Sequence, residues 1–281
     1  MSQNRSHAVM AQRAEPRDSL DDFPTPSWGT RALCLHALPL AGISQESLAD
    51  LEVHEPAANR GHMVRPLRES FGTVHASDVH DYGTGFEVDD FLLPGPASRR
   101  ADLIITNPPF RLATAFVRRA MQVSRFGCAV LVRGTWMESN ERYKLFSETP
   151  PTLIAQFVER LPMIEGYVAR EASSATSYAW VIFLHGQTDT RWRHIPPCRR
   201  QLERADDYPE WAEQARLLSE GQLGKLLARH AQEEGAKPIM PEAVIRAELD
   251  RRWGVPRSMA TAAGPVEFEL EPRNHSAQGE V

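Results

Sequence analysis

Residues 101–110 read ADLIITNPPF and combine a buried-strand pattern with a pair of prolines. The segment LIIT, residues 103–106, is apolar and rich in β-branched side chains, which is typical of a strand covered on both faces of a parallel sheet. Two prolines follow within two residues, and since proline has no N–H to donate to a sheet, the strand is expected to end at Thr106. The sequence therefore predicts a buried strand that runs into a short, stiff loop, residues 107–110.

The loop NPPF places two acceptors beside a flat apolar ring. The prolines remove two donors and leave the side-chain carbonyl of Asn107 and the backbone carbonyl of Pro108 free to accept hydrogen bonds. Phe110 offers a surface on which a heteroaromatic ring can stack. This arrangement suits a planar exocyclic amine whose two N–H groups are held by two carbonyls. A strand that Pro-Pro merely terminates is the alternative interpretation.

Strand and helix patterns alternate on both sides of this stretch. The strand patterns are LEVHEP, TVHASD, CAVLVRGTW, LIAQFVERL and SYAWVIFLHG, and helical patterns include LATAFVRRAMQVS and SNERYKLFSE. Alternation over residues 30–185 predicts an α/β, Rossmann-like fold with a mostly parallel sheet. The last two strand patterns have no clear helix between them, which predicts a late antiparallel strand. We expect a flexible leader over residues 1–20, a catalytic domain over 21–190, a helical C-terminal extension over 191–260 and a flexible tail over 261–281.

Ligands of such a sheet bind at the carboxyl ends of its strands. Residues 55–61, EPAANRG, follow the first strand, and their small side chains and glycine permit close approach of a ligand to the backbone. They form neither a GxGxxG fingerprint nor a phosphate loop. Asp78 ends the second strand, where an acid can accept hydrogen bonds from ribose hydroxyls. A tight turn and a helix cap are the ordinary alternatives for these two features.

Taken in order, these motifs resemble the S-adenosylmethionine-dependent DNA N6-adenine methyltransferases, in the phage-like arrangement with the cofactor motifs before the catalytic NPPF motif. The resemblance covers roughly residues 21–185. It implies catalytic roles for Asn107, Pro108, Pro109 and Phe110. It implies cofactor contacts for Pro24, Thr25, Pro26, Glu55, Pro56, Ala57, Asn59, Gly61, Asp78, Asp90 and Asn107.

Several of these roles are specific. The family places residues matching 24–26 at the methionine portion of the cofactor, Glu55 near its amino group, Asp78 at its ribose and Asp90 at its adenine amine. Asn59 departs from the family, which usually carries glycine there. Because asparagine tolerates a left-handed backbone best after glycine, we expect the loop to keep its conformation.

The resemblance implies an adenine-specific enzyme that flips its target base out of duplex DNA and transfers a methyl group from S-adenosylmethionine to N6. Two alternatives stay open: an enzyme of the same fold acting on RNA or on a protein glutamine, and a non-catalytic nucleic-acid-binding relative. Whether a restriction partner exists and whether the chain forms a homodimer are also open.

The bulk charge of −5 argues against a strongly basic nucleic-acid coat protein and by itself leans away from DNA as a partner. Residues 97–133, however, hold seven arginines and one aspartate, a net charge of +6 around the catalytic loop. Arg99, Arg100 and Arg111 flank NPPF most closely and are our candidate contacts to DNA phosphates.

The remaining composition favours a cytoplasmic protein without metal. The three cysteines are far apart and form no CxxC pair, which argues against a disulfide framework or a zinc site. The histidines show no metal-ligand spacing. No run of about 18 apolar residues is present, so we expect no membrane span.

Overall fold

The computed structural model of the protein describes residues 21–94, 101–231 and 240–253. The predicted leader and tail therefore lie outside the described residues. The chain divides into two compact units, Met1–Leu218 and Ser219–Val281, which are described separately below.

The first unit is built on one eight-stranded sheet. Its strands are β1 Glu52–Glu55, β2 Thr73–Asp78, β3 Glu87–Val88, β4 Leu103–Thr106, β5 Gly127–Arg133, β6 Leu153–Phe157, β7 Tyr178–Leu184 and β8 Arg191–Ile195. They lie in the order β3-β2-β1-β4-β5-β7-β6-β8. All pairs are parallel except those of β7, which runs antiparallel to both β5 and β6. The order reverses between β1 and β4, as in doubly wound Rossmann-like folds, and the predicted fold class is confirmed.

The helices of the first unit cover both faces of this sheet. They are α1 Ser27–Ala32, α2 Leu38–Ala41, α3 Val64–Arg68, α4 Ala113–Val123, α5 Asn140–Glu148, α6 Arg199–Leu202 and α7 Trp211–Leu217. Leu103 and Ile105 of β4 belong to the core cluster that contains residues of α1 and α3, whereas Ile104 belongs to the cluster that contains residues of α4 and α5. All three side chains are fully buried, so β4 is covered on both faces as its sequence predicts.

A π-helical segment, Leu33–Ala37, joins α1 to α2. Pro39 begins the next turn and cannot donate a backbone N–H. The side chain of Gln45 donates instead to the carbonyl of Leu35 (2.9 Å). This segment also turns Leu35 toward solvent, although helical spacing groups it with the buried Trp28 and Leu38.

Two strands have no counterpart in the sequence prediction. β3 is only two residues long and exposed, and β8 has four exposed residues out of five. Neither shows the apolar alternation that identifies a half-buried strand. Because β8 pairs with β6, the sheet extends past residue 190, where the helical extension was predicted to begin.

The second unit is helical over its described part, with α8 Glu220–Ala231 and α9 Glu242–Trp253. These two helices contact each other, and the His230 ring lies 2.9 Å from the carbonyl of Met240. Over the described ranges of both units, no helix is long and apolar enough to cross a membrane.

Candidate active site

Two adjoining cavities lie at the carboxyl end of the parallel strands. The larger encloses about 860 Å³ of empty space, counted together with its opening to solvent. Residues from the ends of β1, β2 and β4 and from the segment before α1 line it. Its polar lining consists of Asp21, Thr25, Asn59, His62, Asp78, Tyr82, Asp89, Asp90 and Asn107.

The smaller cavity has a volume of about 390 Å³. Three residues, Asp21, Phe23 and Asn107, line both cavities. The NPPF loop forms part of the wall between them, since Pro108 and Phe110 line the smaller cavity and Pro109 lines the larger. Two ligands bound in the two cavities would therefore meet at Asn107.

The Asn107 side chain is oriented by the segment that precedes α1. Its Nδ2 donates to the backbone carbonyl of Phe23 (3.1 Å), so its Oδ1 remains as the acceptor. The backbone N–H of Phe110 donates to the Asp21 carboxylate (2.6 Å), and a short 3-10 helix, Phe110–Leu112, leads into α4. These contacts hold the Asn107 acceptor and the Phe110 ring of the NPPF loop at fixed positions.

The loop after β1 has the backbone that its sequence predicts. Asn59 is left-handed, with φ of +49°, and Gly61 has φ of +82°. A Cβ atom at Gly61 would lie 3.0 Å from the Phe86 ring, so a side chain would be both strained and crowded there. The left-handed backbone expected at Asn59 is therefore present.

A buried ion pair ties this loop to the segment before α1. Arg60 donates to both carboxylate oxygens of Asp22 (2.8 and 3.0 Å), and Asn59 Nδ2 donates to the same carboxylate (2.8 Å). Both partners of the ion pair are more than 90% buried. The side chain of Asn59 therefore makes a contact that glycine could not make.

Asp78 lies at the end of β2 and faces the larger cavity. Its Oδ2 accepts from the N–H of Asn59 (2.8 Å) and its Oδ1 from the N–H of His80 (2.9 Å). Burial raises the pKa of the Asp78 carboxyl, and these two N–H groups oppose the rise. A carboxylate oxygen has two acceptor sites, so Asp78 can still accept from a ligand.

The larger cavity is acidic. Four aspartates line it, and no lysine or arginine stands among the described residues of its wall. Burial, together with Arg60 and Arg65, lowers the pKa of His62 to about 4, so its imidazole is neutral at neutral pH. An acidic lining of this kind favours a ligand that carries positive charge.

Glu55 is fully buried at the end of β1 and does not line either cavity. Its Oε1 accepts from the N–H of Ala57 (3.0 Å), and the side chain of Thr106 lies close to the same carboxyl. Burial raises the pKa of this carboxyl to about 8. Glu55 is therefore protonated at neutral pH, and it supports the loop from below.

This pKa makes a prediction about stability. A carboxyl that holds its proton up to about pH 8 when folded, against about 4.5 when exposed, binds more protons in the native state. The free energy of unfolding should therefore fall as pH rises through this window. In Glu55→Gln, the decrease of the free energy of unfolding with pH that Glu55 causes should be absent. Urea unfolding measured from pH 5 to 8 tests this. The exposed Glu138→Gln is the control, and equal slopes in Glu55→Gln and wild type would contradict the prediction.

The other predicted residues fall in different places. Pro24, Thr25, Pro56, Ala57 and Asp90 line the larger cavity. Pro26 and Gly61 do not line it. Pro26 is the residue immediately before α1, and Gly61 has a left-handed backbone in the loop after β1. Arg111 is exposed beside NPPF, outside both walls, and Arg99 and Arg100 lie outside the described residues.

Sequence reasoning missed several lining residues. They are Asp21, Phe23, His62, Tyr82, Arg133 and Tyr178. Arg133 and Tyr178 are opposed across β5 and β7, a pairing that no local motif signals. Asp21 has a left-handed φ of +51°, which is uncommon outside glycine and is typical of functional sites.

The larger cavity fits the methyl donor that the sequence resemblance implies. S-adenosylmethionine carries a sulfonium charge, and the cavity is acidic. The hydroxyl oxygen of Thr25 is buried in its wall with no hydrogen-bond partner among the described residues. An unpaired buried hydroxyl is costly, and a polar ligand group would satisfy it. Within the described ranges, no group of three potential metal ligands is present.

No family model matches the sequence. No curated protein matches it either.

Among solved structures, the chain is similar to three methyltransferases. The M protein of the type I restriction enzyme EcoKI is 12% identical, with 70% of this chain and 58% of that chain covered and a TM-score of 0.46. A type I restriction-modification methyltransferase subunit from Streptococcus thermophilus is 8% identical, over 76% and 55% of the two chains, with a TM-score of 0.46. An S-adenosylmethionine-dependent O-methyltransferase from Thermotoga maritima is 11% identical, over 52% and 63%, with a TM-score of 0.38. The chain spans between half and two thirds of the length of each.

The strand order of the sheet is that of the Rossmann-like class I methyltransferase fold, with β7 antiparallel between β5 and β6. The strand order therefore establishes the fold class, and the residues of the two cavities carry the information on activity.

Proposed function

We propose that this protein transfers a methyl group from S-adenosylmethionine to the N6 amine of adenine in DNA. The observation that carries the proposal is the position of Asn107, whose side chain lines both cavities while its Nδ2 is committed to Phe23. Its remaining Oδ1 can accept a hydrogen bond at the place where the two ligands would meet.

The larger cavity would hold the cofactor. Asp78 would accept from the ribose hydroxyls, Asp90 from the adenine amine, and Thr25 would bond the methionine portion. The bound cofactor supplies an electrophilic methyl group on a sulfonium. The four aspartates of the wall favour this cation electrostatically.

The smaller cavity would hold the target base. An exocyclic amine of adenine is a poor nucleophile because its lone pair is delocalised into the ring. Hydrogen bonds from its two N–H groups to Asn107 Oδ1 and to the Pro108 carbonyl favour a pyramidal nitrogen, which frees the lone pair. The rate then depends on positioning and on electrostatics.

Phe110 would hold the base by stacking. Removing a base from a duplex costs a few kcal/mol, and stacking on an aromatic side chain returns about 1–3 kcal/mol. Arg111, which is exposed beside the loop, and Arg99 and Arg100 would contact the DNA backbone.

One assay tests the proposal. The protein is incubated with tritiated-methyl cofactor and, separately, with duplex DNA, RNA and cell protein, and each product is digested and identified. We expect label in DNA as N6-methyladenine. Cofactor binding without any such label would contradict the proposal, and label in RNA or in glutamine would replace DNA as the substrate.

A second test concerns the cofactor. Asp78→Ala removes an acceptor for the ribose hydroxyls. Since hydrogen bonds to charged groups contribute about 1.5–3 kcal/mol, we expect roughly 10- to 100-fold weaker cofactor binding by calorimetry. Asp81→Ala, an exposed aspartate in the following loop, is the matched control. Unchanged affinity in a folded Asp78→Ala protein would show that the ribose contact is wrong.

A further inference from the structure

Arg133 is the last residue of β5, and its side chain lines the smaller cavity. β5 lies beside β4, and parallel neighbours bring their carboxyl ends to the same edge of the sheet. Arg133 therefore faces the NPPF loop that follows β4. On its other side, Arg133 is paired with Tyr178 of the neighbouring strand β7.

Two aromatic rings hold the guanidinium in this cavity. Its Cζ lies 5.0 Å from the centre of the Phe110 ring and 5.9 Å from that of Phe23. Both distances are within the range of cation–π attraction, about 6 Å. The rings stabilise the charge but accept none of the in-plane N–H groups, of which a guanidinium has five.

Three other arginines of this unit that are buried or half-buried have carboxylate partners. Arg31 pairs with Glu69 and Asp207, Arg60 with Asp22, and Arg142 with Glu141. The side chain of Arg133, by contrast, has no hydrogen-bond or ion-pair partner among the described residues.

The carboxylate that shares the cavity, Asp21, already accepts from the N–H of Phe110. The larger cavity has four aspartates and no cationic side chain in its described wall, so the charges of the two cavities differ in kind. A half-buried guanidinium with open donors favours an anion that presents several oxygens, and the planar fork matches the geometry of a phosphate.

We propose that Arg133 binds a backbone phosphate next to the target base, so that the smaller cavity accepts a nucleotide in preference to a nucleoside or to a protein amide. This inference rests on the proposed function, since it takes the base to occupy that cavity. It adds a phosphate contact inside the site to the arginines that flank NPPF.

The decisive experiment removes single phosphate charges. The substrates are DNA duplexes whose target adenine has the flanking sequence found at adenines that the protein methylates. In each duplex, one phosphate near the target adenine is replaced by a neutral methylphosphonate. We expect one linkage at which kcat/KM of the wild type falls about tenfold or more, as for loss of a charge-assisted hydrogen bond. Arg133→Gln should show the same loss on unmodified DNA and no further loss at that linkage. Arg133→Lys keeps the charge without the planar fork, so its kcat/KM on unmodified DNA should lie between that of the wild type and that of Arg133→Gln.

Arg118→Gln is the matched control, because Arg118 lies on the outer face of α4 and pairs with Glu148. It should respond to every methylphosphonate as the wild type does. If the Arg133→Gln and methylphosphonate effects multiply at every linkage, the phosphate contact is wrong, although adenine methylation by the wild type would still support the proposed function.

A binding measurement covers the case in which no DNA is methylated. Protein loaded with S-adenosylhomocysteine is titrated with deoxyadenosine and with its 5′-monophosphate, followed by NMR. We expect tighter binding of the monophosphate in the wild type and no such difference in Arg133→Gln. Equal binding of both ligands by the wild type would overturn the phosphate site, whatever the outcome of the methylation assay.

Discussion

Asn107→Ala should lose nearly all methyl transfer while it keeps its affinity for the cofactor. Removing one positioned polar group that acts on the reacting atoms typically costs about 100- to 1,000-fold in kcat, and we expect a loss of this size. Cofactor affinity should change little, because the ribose and adenine contacts proposed for Asp78 and Asp90 are untouched. Single-turnover transfer to duplex DNA and calorimetry with S-adenosylmethionine measure the two quantities separately.

Asn140→Ala is the control for this substitution. Asn140 is exposed at the start of α5 and lines neither cavity, so its loss should leave transfer unchanged. A folded Asn107→Ala protein that transfers methyl groups at more than about a tenth of the wild-type rate would contradict the role of Oδ1. Loss of transfer together with loss of cofactor affinity would instead place Asn107 mainly at the cofactor.

The strand that precedes the NPPF loop, β4, was predictable because its signal is local. Residues 103–106 are apolar on both faces, two prolines end them, and the neighbouring acids Glu55 and Asp78 also stand at strand ends. The rule that parallel strands align their carboxyl ends then brings these features together without any knowledge of the contacts. Exposure was not predictable in the same way, since Asp78 faces the cavity while Glu55 is buried beneath it.

The partners of the NPPF loop were not predictable, because they are distant in the chain. The residue that orients Asn107 is Phe23, 84 positions earlier, and Phe110 is held by Asp21, 89 positions earlier. Arg133 reaches the loop only because β5 pairs with β4. Each of these contacts depends on the strand order of the whole sheet, which no local pattern of charge or hydropathy encodes.

Edge strands are missed for a different reason. β8 pairs on one side with β6, and four of its five residues are exposed. Its sequence, RWRHI, is polar where a half-buried strand would alternate with apolar residues. Charge at an edge strand also discourages pairing with other chains, so the feature that hides β8 from sequence analysis is one that edges commonly have.

Arg31 connects three segments of the first unit, and its loss should have a large effect on stability. It donates five hydrogen bonds, to Glu69 at the end of α3, to Asp207 in the 3-10 helix Ala205–Asp207, and to the carbonyl of Leu202. Arg31 and Asp207 are 5% and 3% exposed. Burial alone would raise the pKa of Asp207, but the hydrogen bonds that Arg31 donates to its carboxylate lower this pKa below its ordinary value.

Arg31→Met should therefore lower the free energy of unfolding by about 2–4 kcal/mol. Leaving one member of a buried ion pair without any partner costs about 3–5 kcal/mol, and the loss is smaller here because Asp207 keeps its ion pair with Arg65 and Glu69 keeps its ion pair with Arg204. In thermal unfolding this corresponds to a fall in Tm on the order of 10 °C. The exposed pair of Arg118 and Glu148 supplies the control, because Arg118→Met removes a surface ion pair that contributes only about 0–1 kcal/mol.

The pH dependence distinguishes an ion pair from simple packing at Arg31. A depressed carboxyl pKa contributes stability that is present above the unfolded value and is lost as pH falls through the folded value. The difference between wild type and Arg31→Met should thus be largest near pH 7 and should shrink below about pH 4, where aspartates protonate. Urea unfolding at both pH values measures it. If the difference in free energy of unfolding between wild type and Arg31→Met stays constant with pH, Arg31 stabilises the fold by filling space. The charges of Glu69 and Asp207 would then have no part in holding α1 in place.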